Sequence, residues 1–177
     1  MEAVPFKLTR ESRIRIDREG RVWHEGERVD NPRLAHALAS WIDWDSSAAR
    51  WILRNSVDWC YVTVDDTPYV VRAARLLDGD APRVDVERSD GVRETLHLDD
   101  VFVDPEGPVY AYVRGGSLLA RFDRAAAFAL LDNAEDDPAG GVHLRFGDRT
   151  LAVHTLEPET APPYVRSRPT DSVPPAG

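Results

Sequence analysis

A period-two alternation that restarts after short turns narrows the fold more than any other feature. Arg13, Ile14, Arg15, Ile16 and Asp17 alternate charged and apolar side chains. Successive side chains of a strand point to opposite faces, so this run is a strand with one apolar face. Glu19-Gly20 makes a turn, Arg21 to His24 a second strand, and Glu25-Gly26 a turn into Glu27-Arg28-Val29. Asp30 or Asn31 then caps a helix that Pro32 suits at its first turn. Leu34, Ala37, Leu38, Trp41 and Ile42 give that helix one apolar face. Trp44 to Arg50 reads as a loop or a short helical turn. Strands follow at Trp51–Leu53 and Cys60–Val64. After the turn Asp65-Asp66-Thr67-Pro68, a third strand runs from Tyr69 to Leu76.

The second half repeats the order. A hairpin turns at Ser89-Asp90-Gly91, and strands at Val109–Val113 and Leu118–Phe122 flank Gly115-Gly116. Asp123 caps a helix over 125–132 that carries Phe128, Leu131 and several alanines. Val142–Phe146 and Thr150–Leu156 form a last hairpin. The helix starts at Asn31 and Arg124 lie 124 − 31 = 93 residues apart, and the strands at Trp51 and Val142 lie 142 − 51 = 91 apart. This spacing predicts a duplication. The expected fold class is α+β: two small tandem domains with a repeated motif, each an antiparallel sheet packed against one main helix. The expected divisions are a flexible lead-in (1–11), an N-terminal domain (12–80), a C-terminal domain (81–157) and a disordered tail (158–177). Six of the 13 prolines fall between Glu157 and Gly177, which leaves little apolar surface there to bury.

Composition removes several function classes. With 22 basic and 31 acidic side chains the formal net charge is −9, which opposes sequence-blind binding to nucleic acid or to anionic lipid. No stretch approaches the roughly 20 apolar residues of a membrane helix. The first residues lack a charged lead and an apolar run, so the protein is expected in the cytoplasm. One cysteine, Cys60, excludes an internal disulfide and a Cys-based zinc cage, and it reads as a buried inert thiol. All basic residues but Lys7 are arginine, and they are scattered along the chain without a cluster.

The run Ile14 to Val29, with Trp23-His24-Glu25-Gly26 at its centre, resembles the opening of a bacterial family known as domain of unknown function 1285 (DUF1285). Leu34, Asn55-Ser56-Val57-Asp58 and Asp66-Thr67-Pro68-Tyr69 match later parts of the pattern, so the resemblance covers about residues 12–77. Here Asn55-Ser56 stands for the family's Thr-Pro, Asp58 for Glu, and Tyr69 for Phe. The carboxylate and the aromatic ring are kept, and the hydroxyl is not. The resemblance implies two α+β domains with repeated motifs. It implies no established activity, though a role in signal transduction has been suggested for such proteins.

The densest set of polar and aromatic side chains is Trp23, His24, Glu25, Asn55, Asp58, Trp59, Tyr61, Asp65, Asp66 and Tyr69. With Trp23 facing the core, His24 points outward, where it could meet Asp58. A histidine with carboxylates can relay a proton. No metal-ligand spacing accompanies it, so no metal and no cofactor are expected. Asp65-Asp66 lacks the further oxygens of a calcium loop. Trp44 and Trp59 are the tryptophans chosen as exposed. Gly115-Gly116 and Gly140-Gly141 lack the context and the lysine of a phosphate loop. No catalytic motif emerges, so enzyme activity is left open, leaning against. The expected function is a non-catalytic ligand- or protein-binding, regulatory module. A small-molecule hydrolase using His24 and Asp58, and an oligomer-forming structural subunit, are the alternatives. The partner is a protein or small molecule of unknown identity, and a homo-oligomer stays open.

Overall fold

The first alternating run becomes β1 (Glu11–Ile16) in a computed structural model that describes residues 10–77, 82–104, 107–132, 134–136, 142–146 and 149–155. β2 (Val22–His24) and β3 (Glu27–Arg28) complete a meander with it. The β2–β3 turn places Glu25 at φ 53° and Gly26 at φ 87°. Two left-handed residues give the turn whose twist matches paired strands, and Gly takes this conformation freely. α1 (Pro32–Ser40) follows. The Asn31 side chain accepts from the amides of Arg33 and Leu34, which satisfies two of the amides that a helix start leaves open. A second meander follows the helix: β4 (Ile42–Asp45), β5 (Arg50–Arg54) and β6 (Trp59–Val64).

The six strands form one sheet in the order β3-β2-β1-β6-β5-β4. The expected wholly antiparallel sheet is corrected here, because β1 and β6 run parallel, with Ile16 opposite Val64. Within each meander the first and third strands run the same way, and the connection through α1 starts β4 in the direction of β3, so β6 meets β1 parallel.

The second half repeats this plan. β10 (Val101–Val103), β11 (Val109–Val113) and β12 (Leu118–Phe122) form a meander, and α2 (Arg124–Leu131) follows with Asp123 as its cap. β13 (Ala134–Asp136), β14 (Val142–Phe146) and β15 (Arg149–Thr155) form the other meander. β10 and β15 are parallel, with Val103 opposite Thr155. Between the repeats lie β7 (Tyr69–Leu77), β8 (Arg83–Arg88) and β9 (Arg93–His97), which extend the second sheet to nine strands in the order β13-β14-β15-β10-β11-β12-β7-β8-β9. The protein is thus mostly β, with two α-helices among its described residues.

The chain divides into two compact units, Met1–Val70 with Arg88–Val92, and Val71–Glu87 with Arg93–Gly177. The break expected at 80/81, the tail expected from 158, and residues 1–9 of the expected lead-in lie outside the described residues. Glu11, the last residue of that lead-in, opens β1.

The apolar face of α1 differs from expectation. Leu34 is 46% exposed, Ala39 is the buried helical residue, Trp41 caps the C-terminus and Ile42 already belongs to β4. Trp44, expected in a loop, pairs with Trp51 across β4 and β5, the rings edge to face at 4.8 Å. Ile42-Asp43-Trp44-Asp45 itself alternates, and Ile42 happens to continue the helical spacing as well. The core face of this sheet carries Ile16, Val22, Ile42, Trp51, Leu53 and Val62, all buried. The second sheet buries both faces. Val101, Val103, Ala111, Val113 and Ala120 fill one face, and Phe102, Tyr112 and Leu119 cluster on the other with Tyr110.

Candidate functional site

The β5–β6 connection explains the asparagine that stands in place of Thr-Pro. Asn55 Oδ1 accepts from the amides of Val57 (2.8 Å) and Asp58 (2.9 Å), and the Asn55 amide donates to the Asp58 carbonyl (3.1 Å). A short side-chain amide thus closes the turn that Pro would preset. The turn leaves Val57 90% exposed at its tip. It also turns the Asp58 carboxylate back, so that it accepts from the Trp59 amide at 2.9 Å and pairs with the Arg10 guanidinium. The Trp59 amide and Arg10 together hold the Asp58 carboxyl below its usual range, so it stays ionised. Arg10 also donates to the Trp59 carbonyl at 3.0 Å and lies 4.7 Å from the centre of that indole.

Behind this turn lies a cavity of about 140 Å³, lined by Ile14, Leu38, Trp41, Leu53 and Cys60 with Asn55, Asp58 and Trp59. Leu38 and Trp41 come from α1 and its cap, and Ile14, Leu53 and Cys60 from the sheet face beneath it. Among the described residues the lining is mostly apolar and aromatic, with Asp58 as its carboxylate.

Of the ten residues in the dense set, Asn55, Asp58 and Trp59 meet at this cavity. The others lie elsewhere. Ile14 faces His24 and Ile16 faces Val22, so Val22 takes the core position and Trp23 points to the opposite face, the reverse of the sequence expectation. The Trp23 indole there donates to Asp17 at 2.7 Å. His24 is exposed, and no hydrogen bond joins it to Asp58. Glu25 sits at its turn, 3.2 Å from Arg13. Asp66 lies in the bend before β7. Tyr69 is 1% exposed, with the Arg88 guanidinium 4.7 Å above its ring, and Pro68 is buried too. A surface patch through Pro68 and Tyr69 therefore does not form. Trp44 and Trp59 are both half-buried. Among the described residues no three His, Cys, Asp or Glu side chains are placed to hold a metal ion. Among the described residues no helix is long and apolar enough to cross a membrane.

Sequence reasoning missed Arg10, Leu38, Trp41 and Cys60 as a set, because Leu38 and Trp41 come from α1 and its cap, Cys60 from β6 and Arg10 from before β1. It also missed a gathering of arginines. Arg13, Arg15, Arg50 and Arg54 fall on one face of the first sheet, with Arg10 beside them. Each meets an acid or an aromatic ring. Arg50 grips Glu11 with both arms (2.6 and 2.7 Å) and stacks 3.8 Å above Tyr61. Arg15 reaches Asp65 at 2.7 Å and lies 5.5 Å from the Trp23 ring. Trp59 and Tyr61 meet edge to face at 5.1 Å. Residues scattered in sequence become neighbours because the register of β1, β5 and β6 aligns them, and the planar guanidinium stacks where an ammonium would not.

No family model and no curated protein matches the chain. Solved structures do. A DUF1285 family protein from Silicibacter pomeroyi DSS-3 superposes with a TM-score of 0.64 at 22% identity, over 82% of this chain and 81% of that one. A DUF1285 family protein from Shewanella baltica OS155 gives 0.57 at 17% identity, over 70% of this chain and 94% of that one. Together with the Trp23–Gly26 and Asp66–Tyr69 segments, these similarities give the chain the fold of the DUF1285 proteins.

Proposed function

We propose that the protein is a non-catalytic binding module whose first unit recognises a partner protein by taking one of the partner's side chains into the cavity at Asn55, Asp58 and Trp59. The observation that carries this is the cavity's size and lining. Sites for metabolites usually measure roughly 300–1,000 Å³, and about 140 Å³ is far below that. It suits one anchor side chain, the usual centre of a protein interface. Trp41, Leu53 and Leu38 supply the apolar wall, and ionised Asp58 at the rim fixes orientation. A hydrolase built on His24 and Asp58 has no such support, since the two side chains are not bonded. The setting we propose is regulatory and cytoplasmic, in line with the signalling role suggested for the family it resembles.

Peptide-display selection against the full-length chain tests this. The selected peptides should share one apolar or aromatic anchor. They should lose binding to Leu38→Trp, which fills the cavity, while the melting temperature holds. Peptides that bind both forms equally would overturn the cavity as the site. Stabilisation by small metabolites with no peptide selected would overturn the protein-partner reading.

A further inference from the structure

We propose that the second unit carries a separate docking groove on α2 for an acidic peptide segment of a partner protein, bearing one apolar anchor. The groove encloses about 490 Å³ and rests on the second unit alone. One wall is the helical face of Arg124, Ala127, Phe128 and Leu131. These positions are spaced i, i+3, i+4 and i+7, the pattern of a face that normally finds cover. Phe128 is nevertheless 71% exposed, while Ala126 and Leu130 form the buried side of the helix. Pro108, Arg121 and Phe122 line it as well.

Charge identifies the occupant. The chain carries a formal net charge of −9, yet among the described residues lining this groove the ionisable ones are arginines. Arg124 has no ion pair or hydrogen-bond partner among the described residues. A cation in the first turn opposes the helix dipole, so Arg124 does not serve the stability of α2. The exposed Arg124 guanidinium at the start of this apolar helical face favours a carboxylate next to an apolar side chain.

The first repeat argues for a peptide. Phe128 lies 128 − 123 = 5 residues after its cap, and His36 lies 36 − 31 = 5 after the cap of α1. At His36 a peptide turn comes against the helix: a Cβ added to Gly91 would stand 3.3 Å from the imidazole ring. The matching position in the second repeat has Phe128 largely bare. His36 stays exposed beside that turn, so in the first repeat a polypeptide turn lies next to this helix position without burying it.

The test uses the full-length chain and a fluorescein-labelled heptapeptide, Asp-Glu-Glu-Phe-Leu-Asp-Glu, beside a control with lysine at each acidic position. Anisotropy and amide chemical-shift mapping are read together at low salt. The acidic peptide should bind below 1 mM, on the order expected of a weak single-anchor contact, and shift amides of α2 and of Arg121-Phe122. Arg124→Glu and Phe128→Ser should each weaken binding about tenfold or more. Both side chains are exposed, so the melting temperature should not move. Binding of the lysine peptide with equal affinity, unchanged binding in Arg124→Glu, or no binding of the acidic peptide at 1 mM would each overturn the proposal. A tenfold gain in affinity on Glu157→Ala with Glu159→Ala would mean that the chain's own C-terminal segment competes, and would replace the partner by that segment. Self-association that is lost in Phe128→Ser would replace it by a second copy.

Discussion

Asp17 offers the sharpest test of the energetics. It is 4% exposed, at the end of β1 in the β1–β2 turn. Its Oδ1 accepts from the amides of Glu19 (3.1 Å) and Arg21 (2.8 Å). Its Oδ2 accepts from the Trp23 indole and the Arg21 guanidinium, both at 2.7 Å. Burial pushes this carboxyl up, but the Trp23 indole, the Arg21 amide and the Arg21 guanidinium outweigh burial and hold it below 3.8. In Asp17→Asn the amide oxygen can keep the two backbone bonds. Its NH₂ then faces two donors, so the Trp23 indole loses its partner. A hydrogen bond to a charged group contributes about 1.5–3 kcal/mol. The exposed Arg21 is left out of the sum, because solvent screens it. Asp17→Asn should therefore cost about 2–3 kcal/mol at pH 7. With a urea slope of about 1–3 kcal/mol/M the unfolding midpoint should fall by roughly 1 M or more. The pH sign follows from the direction of the shift. A carboxyl depressed in the folded state contributes stability above its unfolded pKa and loses it as pH falls through the folded one. The gap between wild type and Asp17→Asn should be full above about pH 5 and should close below 3.8. A loss under about 0.5 kcal/mol at pH 7, or a gap that persists unchanged at pH 2, would refute the account.

Other outcomes follow from the same reasoning. Glu25 sits at φ 53°, so Glu25→Asn should stabilise by about 0.5–1 kcal/mol in urea melts, since Asn tolerates the left-handed region. Ala49 has φ 51°, and Ala49→Gly should gain about 1 kcal/mol; a loss would mean that the entropy of the unfolded chain dominates. The Arg88–Asp90 pair is 7% and 2% exposed with a contact of 2.6 Å. Arg88→Ala should cost about 3–5 kcal/mol by stranding a buried carboxylate, and adding Asp90→Ala should recover part of that in a double-mutant cycle. Acidifying a sample should release Asp58 from Arg10 only below the usual carboxylate range, which carbon-detected NMR of the Asp58 carboxyl can follow.

Period and punctuation made most elements legible. The Asn31 and Asp123 caps, the Glu25-Gly26 turn and the long strands at Cys60 and Tyr69 all carry local signals that tertiary packing leaves intact. β4 was hidden because Ile42 fits a helical and a strand spacing together, and only pairing with β5 decides between them. β10 was hidden because three apolar residues between Asp100 and Asp104 show no period at all. In the sequence, Asn55, Asp58 and Trp59 stand out only within the larger dense set of polar and aromatic residues. Their cavity was not legible, since Leu38 and Trp41 reach it through the fold of α1 over the sheet. Tyr69 shows the converse failure. An aromatic next to a Pro turn reads as surface, and the stacked Arg88 that shields it comes from 19 residues further along, 88 − 69.

The parallel seam in each repeat sets the order in which the molecule can assemble. Ile16 meets Val64, 64 − 16 = 48 residues on, and Val103 meets Thr155, 155 − 103 = 52 residues on. Each three-stranded meander closes through turns of a few residues, whereas the seam needs the ends of the repeat brought together. Such distant pairings carry the loop-closure entropy and slow folding. While a ribosome is still making the chain, β1 is thus a naked strand edge until β6 emerges, and β10 until β15. Pulse-labelled hydrogen exchange during refolding should find the amides of Ile16 and Val103 protected after those of the meander turns. A nascent chain stalled before Val64 should be the form that chaperones hold.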